Sequence, residues 1–301
     1  MELKEEIANV VSRYAENKRS VDEFYINKMI GLLVDYYGVE DYVTDAYLAD
    51  LNGEYLCAYD FYEKRMFIDY DDLYSMIVDK VLEDQKDGIL SNKDYTHLKI
   101  NMLFLESIAH EIVHAKQYQR VDKRKKSLEK DLLSLSFEGN LLIKKAEKEK
   151  RKLRKEEINF ITSLGKAESM SNYYNALPAE RMARIDTSLF LKDISNIMED
   201  NKLSTYFDLK QEEAKFKGYN YYNCPSAQIL TYHNRLKNIL RMTKDAEEED
   251  FDLNMLYYEE IAQKMDLRDE DRFYYGLLVD DYSLNNQVDR INSLVRKLKN
   301  W

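Results

Sequence analysis

Apolar side chains recur at helical spacing along most of this chain. Over the first forty residues they return every three or four positions and predict two helices, near 2–18 and 21–37. Gly38 follows the second helix and is a suitable stop, because glycine adopts the left-handed conformation that often ends a helix. Helical periodicity returns near Asp72 and dominates the rest of the chain. The pattern therefore predicts a mostly helical protein.

Residues 42–70 carry the one clear strand pattern. The pair Asn52-Gly53, which is typical of type I′ turns, separates residues 47–49 from residues 55–59 and predicts a hairpin. Residues 66–70 predict a third strand after a short turn. We expect these strands to form a small antiparallel meander that precedes the long helices. The predicted fold class is α+β, predominantly helical.

Three later segments carry further helix signals. Residues 91–94 resemble an N-terminal cap before a helix over Leu98–Tyr118. Residues 123–165 predict one or two charged helices, hinged near Gly139-Asn140. Pro178–Leu191 predicts another helix, with Pro178 suited to its first turn.

The order of these segments predicts two regions. The first is a domain over residues 1–200, with a basic helical insertion at about 120–165. The second is a Tyr-rich, largely helical region over residues 201–301. The boundary between them is soft, because no low-complexity linker marks it.

Composition narrows the class of protein. The chain has 301 residues, of which 45% are hydrophobic and 34% charged, as in folded globular proteins. The two cysteines, Cys57 and Cys224, can supply neither a disulfide framework nor a paired thiolate zinc site. The sequence shows no apolar leader and no stretch of membrane-spanning length, so a cytoplasmic location without a membrane partner is predicted.

The net charge of −11 is unevenly distributed. Residues 116–155 hold 15 Lys or Arg against 6 Asp or Glu, a net charge of +9, so the other residues carry −20. A basic segment of this kind can face an acidic partner. Nucleic acid is the weaker alternative, because Glu is mixed among the Lys and Arg of residues 144–155 as on the solvated face of a long helix.

The most specific chemical signal is the run His110-Glu111-Ile112-Val113-His114. Residues four apart on a helix lie one turn above each other on the same face, so both imidazoles can reach one metal ion. Glu111 lies beside them, where a carboxylate can take a proton from a metal-bound water. In a chain with 4 His, such a run arises by chance roughly 0.01 times. The alternative is a helix with two solvated or core-packed histidines.

A catalytic zinc usually takes three protein ligands, so a third must come from elsewhere in the chain. One variant of the motif places a His six residues after the second, but Arg120 occupies that position here. His97 precedes His110 by 13 residues and is too distant along the same helix. His233 has no supporting pattern.

A carboxylate from a later helix is the better candidate. Glu180 lies in the first predicted turn of Pro178–Leu191, among small residues that let this helix approach the motif helix closely. We favour Glu180 as the third ligand over a role that merely complements the helix N-terminus. Glu168, which lies between Ala167 and Ser169, is the second candidate.

A resemblance to a known family rests on these residues. The sequence resembles zincin metallopeptidases of the Glu-ligand type, and most of all the small zincin-like proteins of phages and Firmicutes. It implies an edge strand above the active-site helix, Zn²⁺ held by two His and one Glu, and a peptide or protein substrate. It covers roughly residues 42–190. The residues that carry it are His110-Glu111-Ile112-Val113-His114-Ala115, Gln117, Tyr174 and Pro178-Ala179-Glu180-Arg181 with Ala183.

The sequence departs from the family pattern around the third ligand. The pattern has Asn just before the ligand Glu and Asp four residues after it, where this chain has Ala179 and Arg184. Asp186, two residues later, is the candidate to replace the missing carboxylate. The spacing of 66 residues from His114 to Glu180 is long, because the basic helices are inserted between them.

The expected function is zinc-dependent peptide hydrolysis. Glu111 would take a proton from the attacking water and pass it to the leaving amine. An edge strand such as 65–70 could bind an extended substrate by β-addition. The alternative is a zincin-shaped regulatory or interaction protein that keeps the metal without peptidase activity. Candidate donors to the oxyanion are Tyr118, Tyr173 and Tyr174.

Overall fold

A small three-stranded sheet and a set of long helices make up the described part of the protein, whose structure is a computed structural model. The predicted class, α+β and predominantly helical, is confirmed. The structure describes residues 2–19, 21–53, 56–90, 95–123, 133, 137, 141–159, 161, 178–217 and 284–300. The strands are β1 (Asp45–Leu48), β2 (Cys57–Asp60) and β3 (Arg65–Ile68). The helices are α1 (Glu2–Glu16), α2 (Glu23–Tyr37), α3 (Tyr70–Lys86), α4 (Thr96–Lys123), α5 (Pro178–Ile197), α6 (Asn201–Lys217) and α7 (Leu284–Lys299).

The N-terminal helix pair follows its prediction. Asp22 caps α2, since its carboxylate accepts the backbone N–H of Tyr25 at 2.8 Å. Gly38 ends α2 with a positive φ of 61°, and the N–H groups of Gly38 and Val39 bond to carbonyls of the last turn. The predicted stop at Gly38 is therefore confirmed.

The sheet lies before α4, as predicted, but its topology differs from a meander. The strand order is β1-β3-β2, with β1 parallel and β2 antiparallel to β3. The prediction of an all-antiparallel sheet is therefore wrong. The predicted edge strand over 65–70 is wrong as well, because β3 is the central strand and β2 lies at an edge.

The turn at Asn52-Gly53 explains the error. Both residues have positive φ, 55° and 70°, so the local turn conformation is as predicted. The strand before it does not pair with the strand after it, however. The backbone N–H of Ala49 bonds to Ile68 and that of Leu51 to the Asp69 carboxylate, so β1 is held by β3 and its end. The sequence Asn52-Gly53 predicts the backbone dihedral angles of a turn. Which strands pair with each other, however, depends on residues distant in sequence.

Two compact units divide the chain. The first comprises Met1–Gln119, Ala183–Glu212 and Asp289–Trp301, and the second comprises Arg120–Met182 and Glu213–Val288. The predicted boundary near residue 200 stays a prediction. The cap over 91–94 and the hinge at Gly139-Asn140 fall outside the described residues.

The second unit pairs part of its own positive charge. Glu157 is buried and accepts two hydrogen bonds from the Arg151 guanidinium, at 2.8 and 3.0 Å. It also accepts from the backbone and guanidinium of Arg154. The hydrogen bonds from Arg151 and then from Arg154 hold the pKa of the Glu157 carboxyl well below its usual range. Some of the charge of residues 116–155 is therefore matched by a nearby acid.

The core of the first unit surrounds α4. Along its middle and second half, side chains from successive faces are buried, which leaves this helix few positions in contact with solvent. None of the described helices is long and apolar enough to cross a membrane. The fully buried apolar residues of this stretch are Phe104, Leu105, Ile108, Ala109, Ile112 and Ala115.

Side chains near the end of α4 hold it against α2. Lys116 donates to the carbonyl of Tyr37, and Gln119 donates to the carbonyl of Gly38, both at 2.7 Å. These carbonyls belong to the last turn and cap of α2, where backbone acceptors lack helical partners. The same two bonds therefore complete α2 and position α4.

A buried ion pair ties α4 to α3. Lys99 donates to Asp84 at 2.7 Å, and the two side chains are 1% and 5% exposed. Burial alone would raise the pKa of the Asp84 carboxyl, but the hydrogen bond and charge of Lys99 outweigh it and lower this pKa. Asp84 also accepts from Lys80 and from the Tyr206 hydroxyl of α6. One carboxylate thus joins three helices.

We predict that removing the Asp84 charge destabilises the protein more than removing Lys99. Asp84→Asn leaves the Lys99 ammonium buried beside a neutral amide, which costs about 3–5 kcal/mol. Lys99→Met leaves Asp84 with Lys80 and Tyr206 and costs less. The free energy of unfolding in urea measures both. Equal stability of wild type and Asp84→Asn would contradict the conclusion that the Asp84 carboxylate holds α3, α4 and α6 together.

Candidate metal centre

His110 and His114 lie one turn apart on α4 and face each other. Their Nε2 atoms are 3.1 Å apart, and the rings are nearly perpendicular, at 86°. Both belong to the first unit and to one continuous helix, which places their side chains on the same face one turn apart. The pair predicted from the sequence is therefore brought together by the fold.

The spacing of the two nitrogens fits a single zinc ion. Zinc–imidazole bonds are about 2.0–2.1 Å long, so two ligands of a tetrahedral ion lie about 3.3 Å apart. The observed 3.1 Å is close to that value. The same distance also suits a hydrogen bond in which one Nε2–H donates to the other Nε2. The distance is therefore compatible with either arrangement.

His114 is the more enclosed of the two. Its side chain is buried, with 8% exposed, whereas His110 is half-buried. On the side away from His110, the Nδ1 atom of His114 lies 2.9 Å from Oε1 of Gln117. Gln117 is itself buried, with 1% exposed. The ring of His114 is therefore bounded by a polar partner at each nitrogen.

Glu180 is the predicted third ligand. It belongs to the second unit, whereas His110 and His114 belong to the first, and its part in a metal centre stays a prediction. Glu180 is buried and lies in the first turn of α5, where the sequence places it. Further along α5, Phe190 packs on the rings of Tyr36 and Tyr37 in α2. Two imidazoles and one carboxylate match the ligand set of a catalytic zinc.

Glu111 lies on α4 beside the first residue of β2. Burial raises the pKa of the Cys57 thiol well above its usual value, and the negative charge of Glu111 raises it further. Glu111 is half-buried.

The other sequence candidates have mixed outcomes. His97 lies in the first turn of α4, about 20 Å from His110 along the helix axis. Tyr118 is buried and packs on Tyr42 and Phe61, with ring centroids at 5.9 and 5.4 Å, which assigns it to the core. Asp186 is half-buried, and its role in orienting a ligand stays a prediction. Outside the described residues lie Glu168, Tyr173, Tyr174 and His233.

Sequence reasoning did not predict the contact of Gln117 with His114. The variant that takes a third His is excluded by Gln117 and Arg120 at its Gly and His positions, and the family resemblance assigns Gln117 no role. The available signal is its spacing, because residue i+3 lies on the same helix face as His114 and can reach its ring.

Comparison of the chain with protein-family models, with curated proteins and with solved structures gives no match. The zincin resemblance therefore rests on the motif residues and stays a prediction.

We predict that Glu111→Gln makes Cys57 more reactive. Loss of the negative charge lowers the pKa of the thiol, so a larger fraction is thiolate at a given pH. The measurement is the rate of alkylation by iodoacetamide between pH 8 and 10, in a Cys224→Ser background. Glu106→Gln, one turn before His110 on the same helix and paired with Lys210, is the matched control. An alkylation rate unchanged by Glu111→Gln would show that the two groups are not neighbours.

Proposed function

We propose that this protein is a zinc-dependent peptide hydrolase. The observation that carries the proposal is the pair of Nε2 atoms of His110 and His114, 3.1 Å apart on one helix with Glu111 between them in sequence. His110, His114 and Glu180 would hold the ion. When bound, zinc lowers the pKa of its water to about 7 and polarises a carbonyl.

Glu111 is the general base of the proposed reaction. Its carboxylate would accept a proton from the attacking water and later deliver it to the leaving amine nitrogen. The half-buried position of Glu111 supports this role, because a general base must be within reach of the group whose proton it takes. His110 and His114 bind and orient, and they do not need to change charge.

The edge of the sheet supports a peptide substrate. Within the part of the chain that the structure describes, β2 pairs only with β3, so its other side can accept an added strand. Cys57, the first residue of β2, interacts electrostatically with Glu111. An extended peptide beside β2 would thus pass the general base. The proposed substrate-binding strand is therefore β2 and not residues 65–70, which were expected to lie at the edge of the sheet.

A second candidate, a metal-binding regulatory or interaction protein, is favoured by one observation. His114 and Glu180 are buried, with 8% and 6% exposed, as in zinc sites that serve stability. An acidic partner at residues 116–155 belongs to this candidate. The ion pairs of Arg151 and Arg154 with Glu157 reduce the charge available to such a partner. The cytoplasmic location stays a prediction.

The decisive experiment measures zinc content and proteolysis in the same preparations. We expect about one zinc per chain in the wild type and hydrolysis of fluorescently labelled casein. Glu111→Gln should keep the zinc and lower hydrolysis by at least about 100-fold, because the general base is lost. His114→Ala should lose the zinc as well.

His97→Ala is the matched control, since this histidine lies on the same helix about 20 Å from the site. It should keep both zinc and hydrolysis. Absence of zinc above background in the wild type would contradict the proposal. Zinc without hydrolysis in the wild type would favour the regulatory protein.

A further inference from the structure

We infer that Gln117 is a positioning residue, which holds His114 in the neutral tautomer with the proton on Nδ1 and so turns the lone pair of Nε2 toward the metal position. The inference about the tautomer stands on the contact between the two side chains. Its consequence for zinc affinity rests on the proposed function.

The geometry of the contact defines the direction of the hydrogen bond. The Oε1 atom of Gln117 lies 2.9 Å from Nδ1 of His114. An amide oxygen only accepts, so Nδ1 must carry the proton and donate it. A neutral imidazole has one proton, which leaves Nε2 of His114 with a free lone pair. This is the form in which a histidine binds a metal through Nε2.

The contact between the two histidines agrees with the Nδ1–H tautomer of His114. Nε2 of His114 lies 3.1 Å from Nε2 of His110. Since His114 has only a lone pair at this atom, Nε2 of His110 is the donor in that contact. The order of donors therefore runs from His110 through His114 to the Gln117 oxygen. His114 is prepared as a ligand, whereas His110 must give up its Nε2 proton.

Burial strengthens the hydrogen bond between Gln117 and His114. Gln117 is 1% exposed and His114 is 8% exposed, so water does not compete for Nδ1 or Oε1. An opposite orientation of the amide would place its NH₂ against Nδ1 and move the histidine proton to Nε2. That arrangement would block the atom that must bind the metal. The position of Oε1 thus decides between a competent and an incompetent His114.

Gln119 offers a matched control on the same helix. It is also a buried glutamine with hydrogen bonds, but its partners are Gly38 and Lys116 rather than a histidine. Its substitution removes a structural contact of similar size. Any effect specific to the His114 ring should therefore follow Gln117 and not Gln119.

The test reads the tautomer and the metal affinity separately. Long-range ¹H–¹⁵N spectra of the metal-free protein report which nitrogen of His114 carries the proton, with His114→Ala for assignment. Competition with a chelator measures zinc affinity. The variants are Gln117→Met, which keeps length and removes the acceptor; Gln117→Glu, which keeps an acceptor; and Gln119→Met.

We expect the Nδ1–H tautomer in the wild type, in Gln117→Glu and in Gln119→Met. Gln117→Met should show a mixture of tautomers and bind zinc about 10–100-fold more weakly. A wild-type His114 with its proton on Nε2 overturns the inference, and this holds even if Gln117→Met does not fold. So does a pure Nδ1–H tautomer in Gln117→Met. If the tautomer follows Gln117 but the wild type binds no zinc, the proposed function fails and the positioning role stands.

Discussion

The rise of one helical turn between His110 and His114 is the constraint on which the site depends. Two imidazoles can share an ion only if their ring nitrogens stay about 3.3 Å apart. A spacing of four residues on an α-helix places both side chains on one face, from which their rings can reach that distance. The helix must then be fixed in place. Its buried apolar faces, the Lys99–Asp84 ion pair and the bonds of Lys116 and Gln119 to the end of α2 do this. Contacts from several parts of the first unit thus fix the position of α4.

Desolvation is the second theme of the site. His114 and Glu180 are buried, and a buried polar group is costly unless it has partners. Gln117 supplies a partner to Nδ1 of His114, and His110 lies at its Nε2. Burial, and then the negative charge of Glu111, raises the pKa of the Cys57 thiol. Around buried groups the electrostatic effect of each neighbour is larger than in water. A single substitution beside His114 should therefore change the properties of its ring strongly.

The sequence predicted what depends on neighbours along the chain and failed where distant residues decide. The periodicity of apolar residues predicted α1, α2 and α5, and the His110–His114 spacing predicted the histidine pair, because helical contacts are local. Asn52-Gly53 predicted a turn correctly but paired the wrong strands, since β1 meets β3 through the Ile68–Asp69 end of that strand. The sequence offered Glu180 only as a candidate ligand. It did not predict the contact of Gln117 with His114, although the i+3 spacing of these residues is compatible with one.

The central claim is that two imidazoles and one carboxylate can bind one zinc ion. X-ray absorption at the zinc edge of the zinc-loaded protein tests it most directly, because the scattering pattern of imidazole is distinct from that of water, carboxylate or thiolate. The account predicts two imidazole nitrogens at about 2.0–2.1 Å and further oxygen ligands at about 2.0–2.2 Å. His97→Ala, which lies about 20 Å from the site on the same helix, should leave the imidazole count unchanged. A first shell of sulfur, or of oxygen without imidazole, would contradict the account.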